Sequence, residues 1–411
     1  MLTHVTAPLL PAPRSWYPGH MTQFARMLPA LLTRTDIVLE LRDARLPLTS
    51  INRTFEGHLQ KWRSDRLNSA KQAMLVSPDA KQRVCERIVV FSKRDLVPQW
   101  GIEPFRRAMA SRFPNQRVFF ASWKNSRDIK ELSSLLVNIA KEHPYIRELN
   151  VLVVGMPNVG KSTLLNALRT VGIEGRTAKA LRTSALPGMT RSLSNRLKIS
   201  EDPLVYSFDT PGVMLPYLGS GSSGAERGVK LALIAGMKES LYDNETLSAY
   251  LLYRLNALNP ISPAYLPLLS SGSKATNDLE EFLTLLANNQ RLLIKGNMPD
   301  LARAAARFVR WWREEGGRVY ARAALPDASV PGSRAGWGFD MEWEVEPGER
   351  ADIMAIVQRK MEACIDAHTR SQAEESEDMS ATQMKKREVE ERKRKIRERA
   401  AARWAGKKAR R

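Results

Sequence analysis

The order of two short motifs constrains the fold of this chain more than any other feature. Val151-Leu152-Val153-Val154 runs into Gly155-Met156-Pro157-Asn158-Val159-Gly160-Lys161-Ser162 and on into Thr163-Leu164-Leu165-Asn166-Ala167-Leu168. This is a strand, a glycine loop and a helix, the context in which backbone N–H groups and a helix N-terminus cradle phosphate. Phe91-Ser92-Lys93-Arg94-Asp95, which reads as a guanine-recognition loop, comes before it. The usual order of a G domain is the opposite. The reversal implies a circularly permuted G domain.

Six aliphatic or β-branched runs read as strands: 36–41, 88–92, 117–121, 150–155, 195–199 and 204–209. Helical segments fall between most of them, at 22–33, 55–61, 103–112, 129–142 and 161–169. The alternation predicts an α/β domain, a mostly parallel sheet with helices on both faces. Beyond Gly224 the strand signal stops, and 225–240, 244–255, 279–288 and 298–315 read as helices. The expected layout is a possible transit segment at 1–15, the G domain at 16–224 and a smaller helical RNA-binding domain at 225–317. An irregular insertion at 318–345 and a helical segment with a basic tail at 346–411 complete it.

The chain has 411 residues with 64 Lys and Arg against 44 Asp and Glu, so its net charge of +20 calls for a polyanionic partner. From Lys385 onward 14 basic residues face 4 acidic ones. That tail suits phosphate contacts, a nuclear-targeting signal or plain solubility. No Asp or Glu precedes Asp36 whereas Arg14, Arg26 and Arg34 do, the bias of an organellar transit segment; Pro8, Pro11 and Pro13 argue against a helix there. Two distant cysteines and five histidines without ligand spacing offer neither a disulfide framework nor a zinc-binding pattern, so a reducing compartment and no structural zinc are expected. No apolar run is long enough to span a bilayer.

Each site residue follows from the chemistry of a nucleotide. Lys161 is expected to reach the β and γ phosphates, with Asn158, Val159, Gly160 and Thr163 lining the cradle, and the Ser162 hydroxyl to bind Mg²⁺. Asp209, in Asp209-Thr210-Pro211-Gly212, is expected to hold the metal through water, and Gly212 to sense the γ phosphate. Thr190 lies between these motifs and is the candidate switch ligand to the metal; a plain turn is the alternative. Asp95 can accept from the N1–H and N2–H₂ of guanine, whereas adenine presents an acceptor at N1. Lys93 would lie along the base or brace the phosphate loop, and Ser122 would support the base from the other side. Val213 stands where a water-orienting Gln is common, so slow intrinsic turnover is expected.

Together these elements resemble the circularly permuted GTPases of the YlqF/RbgA type, including their mitochondrial relatives. Trp16-Tyr17-Pro18-Gly19-His20-Met21 is similar to the family's N-terminal element, and Glu40-Leu41-Arg42-Asp43-Ala44-Arg45-Leu46-Pro47 to the strand and turn opening its G domain. The resemblance spans residues 16 to 315, with the later helices alike only in general character. It implies that His20 orients or activates the attacking water, which a neutral imidazole can do, and that Asn158 supports stimulation by K⁺. Two positions depart from the pattern: Ser92 replaces the usual Asn of the guanine loop, and Trp123 replaces a small residue after Ser122.

The implied function is a monomeric GTPase, slow alone and stimulated by ribosomal subunits, that assists assembly of the large ribosomal subunit by contacting its rRNA. GTP hydrolysis to GDP would time its release. The expected location is the mitochondrial matrix, peripheral to an anionic inner membrane. A non-enzymatic nucleotide-sensing scaffold and a nuclear or nucleolar permuted GTPase are the alternatives.

Overall fold

The aliphatic runs become β1 (Ile37–Asp43), β2 (Glu86–Ser92), β3 (Arg117–Phe120), β4 (Leu149–Gly155), β5 (Leu197–Ser200) and β6 (Val205–Asp209). The structure, a computed structural model, describes residues 5–14, 16–76, 84–175, 181, 196–323, 334–345, 352–377, 388–389 and 391–392. The strands pair in the order β3-β2-β1-β4-β6-β5, all parallel except β5, which runs antiparallel to β6. The chain steps from β1 out to β3, then returns to the other side of β1 as β4. Strand order therefore reverses between β1 and β4, the place where open α/β sheets bind ligands beyond their carboxyl ends.

Alternation along β2 sorts its side chains between two layers. Ile88 and Val90 join one core with α1 (Gly19–Leu32), α2 (Arg53–Val76), α4 (Ser126–Glu142) and α5 (Lys161–Gly172). Val89 and Phe91 join a second with α3 (Ile102–Arg112). The second helix, expected at 55–61, runs for 24 residues. Among the described residues its buried apolar side chains, Phe55, Leu59 and Trp62, lie in the first turns; the sequence after them is too polar for hydrophobic periodicity to reveal.

The later helices are α6 (Gly221–Leu233), α7 (Asn244–Leu258), α8 (Leu279–Asn289), α9 (Leu301–Trp311) and α10 (Gly317–Ala321), with a two-stranded ribbon β7 (Leu293–Ile294) and β8 (Met298–Pro299) before α9. They share a continuous core with the sheet: Val229, Leu251, Phe282 and Phe308 belong to the cluster that holds Val151 and Leu165. Everything up to Ile365 is one compact unit, and Asp366–Arg411 is a second. Helix α6 ends earlier than the expected 240 because Ala235 turns left-handed (φ 57°) and the Gly236 amide donates back to the Leu231 carbonyl at 2.8 Å. Between α9 and α10, residues Trp312–Gly316 form a π-helical turn.

The segment 318–345, expected to be irregular, is corrected in its described part. Arg318–Ala321 complete α10, and β9 (Arg334–Trp337) and β10 (Met341–Glu344) form a hairpin. Aromatic anchors explain it. Trp337 is fully buried, stacks on Phe105 at 5.0 Å between centroids and donates from Nε1 to the Pro98 carbonyl at 2.9 Å. Asp340 accepts from the Leu48 and Thr49 amides and from the Thr49 hydroxyl, at 2.9, 2.8 and 2.7 Å. Gly and Ser content hid a hairpin in which buried side chains, Ala335, Trp337, Phe339 and Met341, alternate with the equally buried glycines Gly336 and Gly338 and with Asp340.

The last helix is α11 (Ile353–Glu377). Val357, Met361 and Ile365 bury themselves beside Trp337 and Phe105. In the segment read as a transit peptide, Leu10 packs against the core and the Arg14 amide donates to the Tyr242 hydroxyl at 3.4 Å. No helix among the described residues is long and apolar enough to cross a membrane.

Candidate nucleotide site

Four loops meet at the carboxyl edge of the sheet, after β2, β3, β4 and β6. The phosphate loop follows β4 and leads into α5. Its first glycine, Gly155, has φ 150° and lies so close to β1 that a Cβ would come within 2.3 Å of the Leu41 carbonyl oxygen. Gly160 closes the loop at φ 90°. Lys161 folds over it, donating to the Met156 carbonyl at 2.8 Å and the Gly155 carbonyl at 3.3 Å. Burial pushes its ammonium down to about 8, against the pull of the Asp209 charge. Carbonyl dipoles are weak partners for a buried cation, so phosphate oxygens would be better ones.

The Ser162 hydroxyl donates to Asp209 Oδ2 at 2.6 Å. Burial raises the Asp209 carboxyl, and the Ser162 bond and Lys161 oppose the shift. A hydroxyl and a carboxylate so close are hard oxygen donors. They fit Mg²⁺, which takes few protein ligands and completes its shell with water and phosphate. Among the described residues no group of three or more His, Cys, Asp or Glu side chains could cage a metal. Gly212 packs on the phosphate loop, where a Cβ would lie 2.6 Å from the Pro157 Cα. The Val213 amide then donates to the Gly155 carbonyl at 3.2 Å, and the Asn52 amide to the Val213 carbonyl at 3.2 Å. Thr190 lies outside the described residues.

The base loop is built differently from its sequence expectation. The Ser92 hydroxyl is fully buried and donates to the Arg42 carbonyl at 3.0 Å, tying β2 to β1. Lys93, left-handed at φ 58°, sends its ammonium to Asp43 Oδ2 at 2.9 Å. Asp43 also receives both arms of Arg45, at 3.0 and 2.8 Å. Burial would raise that carboxyl, but Arg45 and Lys93 hold it far below the ordinary range.

Asp95 does face a cavity, of about 310 Å³, together with Ser122, Lys124, Asn125, Val97 and Gln99. The lysine ammonium of Lys124 is 3.8 Å from Asp95 Oδ2. Ala321 at the end of α10 contributes to the same wall. Asp128, which sequence reasoning passed over, organises this end of the site. Its carboxylate accepts from Arg94 at 2.6 and 2.8 Å, from the Ser122 amide at 2.7 Å and from the Asn125 amide at 3.1 Å. The signal was present: Asn125-x-x-Asp128 has capping-box spacing, with Asn125 as the N-cap of α4.

His20 sits in the first turn of α1. The next residue, Met21, is fully buried, and its sulfur accepts from the Met214 amide at 3.5 Å, so α1 starts beside the loop that follows Gly212. Asn158, left-handed at φ 58°, donates from its side chain to the Ala235 carbonyl at 2.7 Å.

Comparison with known proteins shows the family of the chain. A family model described as a 50S ribosome-binding GTPase matches residues 150–260. The chain is 32% identical over 292 residues to mitochondrial GTPase 1 of Schizosaccharomyces pombe, covering 70% of this chain and 83% of that protein. The chain belongs to the mitochondrial GTPase 1 family. Mitochondrial GTPase 1 of Schizosaccharomyces japonicus is 30% identical, with 69% and 81% of the two chains covered. A mitochondrial ribosome-associated GTPase 1, from Mus musculus, is 31% identical over 59% of this chain and 66% of its own. The solved structure of GNP-bound YlqF from T. maritima covers 72% of this chain and 94% of its own, at 20% identity and a TM-score of 0.42. Membership of the mitochondrial GTPase 1 family makes this chain a GTP-hydrolysing enzyme of the mitochondrion, with the reversed motif order that the sheet carries from β2 to β4.

Proposed function

We propose that this GTPase associates with the large subunit of the mitochondrial ribosome during assembly, and that hydrolysis of bound GTP times its departure. The observation that carries the reading is the bond from Asn158 to Ala235. It joins the phosphate loop to the segment just after α6, a route by which phosphate occupancy would bias the helical layer. Ribosome association of the related proteins and the chain's +20 charge support RNA as the surface contacted.

In this reading GTP lies across the carboxyl edge of the sheet, with Asp95 and Ser122 at the base and Asn158, Val159, Gly160, Lys161, Ser162 and Thr163 around the phosphates. Ser162 and Asp209 would hold Mg²⁺, which supplies charge neutralisation on the phosphates when bound. Lys161 stabilises charge on the transferring group, and Gly212 reports the γ phosphate. Thr190 is proposed as a further metal ligand. His20 is proposed to orient the water, supported by the seating of Met21 beside Met214. Asn158, in the phosphate loop, is proposed to support stimulation by K⁺. A monomer in the matrix, held near anionic membrane by the basic tail, is the arrangement proposed.

The test is GTP turnover with and without mitochondrial large subunits, joined to co-sedimentation in GTP and in GDP. Many-fold stimulation and GTP-dependent binding are expected. Turnover indifferent to subunits would leave a scaffold as the better reading. His20→Ala should lose stimulated turnover while keeping nucleotide affinity, and equal stimulated rates in both proteins would remove His20 from the mechanism.

A further inference from the structure

Trp123 occupies the gap between the base cavity and the phosphate loop. Its neighbours in sequence, Ser122 and Lys124, both line the cavity that holds Asp95. Its indole edge lies against Gly160 at the other side of the gap. A Cβ on Gly160 would fall 2.3 Å from the indole Nε1 and 2.9 Å from Cδ1. Any nucleotide with its base at Asp95 and its terminal phosphates at Lys161 must carry its sugar and α phosphate through this region.

The indole N–H is buried, and no hydrogen-bond partner meets it among the described residues. Such donors are uncommon because the lost hydration is not replaced, and each calls for an explanation. Two of the side-chain donors of the base loop are already committed. The Ser92 hydroxyl is committed to the Arg42 carbonyl and the Lys93 ammonium to Asp43. The Trp123 indole N–H, buried at the phosphate-loop glycine, is a further donor that the protein itself does not use.

We propose that Trp123 is a nucleotide-binding residue, its indole Nε1–H donating to an acceptor oxygen on the ribose or the α phosphate of a guanine nucleotide. The inference rests on the nucleotide site proposed above and adds a contact to it. It also accounts for Gly160 twice over: the loop needs its positive φ, and the indole needs the space.

The experiment titrates GDP and guanosine into the full-length protein, wild type and Trp123→Phe, and records thermal midpoints without nucleotide. Phenylalanine keeps an aromatic ring on Gly160 and deletes only the donor. GDP affinity should fall about fivefold to twentyfold, from the loss of one hydrogen bond, while the nucleotide-free midpoint stays level or rises because a buried orphan has gone. A loss confined to GDP assigns the acceptor to phosphate, and a loss shared with guanosine assigns it to the sugar. Unchanged GDP affinity in Trp123→Phe overturns the proposal, as does a lowered midpoint without loss of affinity, which would mark a packing role. In the wild-type chain, exchange of the Trp123 indole proton with solvent should slow when GDP is added; unaltered exchange also overturns it. Failure of the wild type to bind GDP at all would instead remove the nucleotide reading itself.

Discussion

The side-chain amide of Asn158 donates to the main-chain carbonyl of Ala235 at 2.7 Å, and both residues have left-handed backbones, at φ 58° and 57°. The phosphate loop and the end of α6 are thus joined at the two points where each reverses direction. Asn158→Gly keeps the required backbone and removes the amide. It should abolish the nucleotide-dependent change in amide exchange at Leu231–Gly236 and reduce any advantage of K⁺ over Na⁺ in turnover. Retention of both would disconnect Asn158 from the helical layer.

Lys161→Ala should move affinity and stability in opposite directions. The ammonium rests on two carbonyls and is pushed down to about 8 by burial. Removing it relieves a buried charge, so the nucleotide-free midpoint should hold or rise. GTP affinity should drop by about a hundredfold or more, since charge-assisted bonds to phosphate are the strong ones. Calorimetry with and without GTP reads both.

Asp95→Asn should change which base is accepted. A carboxylate accepts from guanine N1–H and N2–H₂, whereas an amide can donate to the C2 carbonyl of xanthine. GTP affinity should fall by about a hundredfold or more while that for xanthosine triphosphate rises. Equal losses for both nucleotides would mean that Asp95 does not read the base edge.

Acid should unfold the protein partly through Glu40. Burial would raise this carboxyl, but Arg42 and Arg87 outweigh it and hold it at about 2. A folded value below the unfolded one of 4.5 means stability that is present above pH 4.5 and lost as the pH falls toward 2. The contribution is roughly 3 kcal/mol. Glu40→Gln should flatten the stability profile over that window. It should also lower stability at neutral pH by about 3 kcal/mol or more, because two guanidiniums lose their buried partner.

Trp337→Ala should cost about 3–5 kcal/mol, as a large aromatic leaves the core. Because Trp337 also donates to the Pro98 carbonyl, just beyond the base loop, GDP should protect the variant less than it protects the wild type. Thermal midpoints with and without GDP measure the difference.

The six strands and the phosphate loop were legible because their signals are local. An aliphatic run of strand length and a glycine loop before a helix report their own structure. Asp95 and Ser122, each read from the run that it follows, line one cavity. The tail of α2 was hidden by its polar surface, and the β9–β10 hairpin by its glycines, since its stability comes from Phe105 and Pro98 far away in sequence.

By itself, then, the sequence determined the α/β class and the permuted order, and it named candidate residues for the carboxyl edge. Only the tertiary structure decided what those side chains do. It assigned the Ser92 hydroxyl to Arg42 and the Lys93 ammonium to Asp43, made Asp128 the organiser of the base loop, set Trp123 on Gly160 and joined Asn158 to Ala235. The physical reason is range. Strand, loop and helix propensities act over a few residues, whereas the partner of a buried polar group is set by which distant backbone the fold brings within 3 Å, a typical hydrogen-bond length.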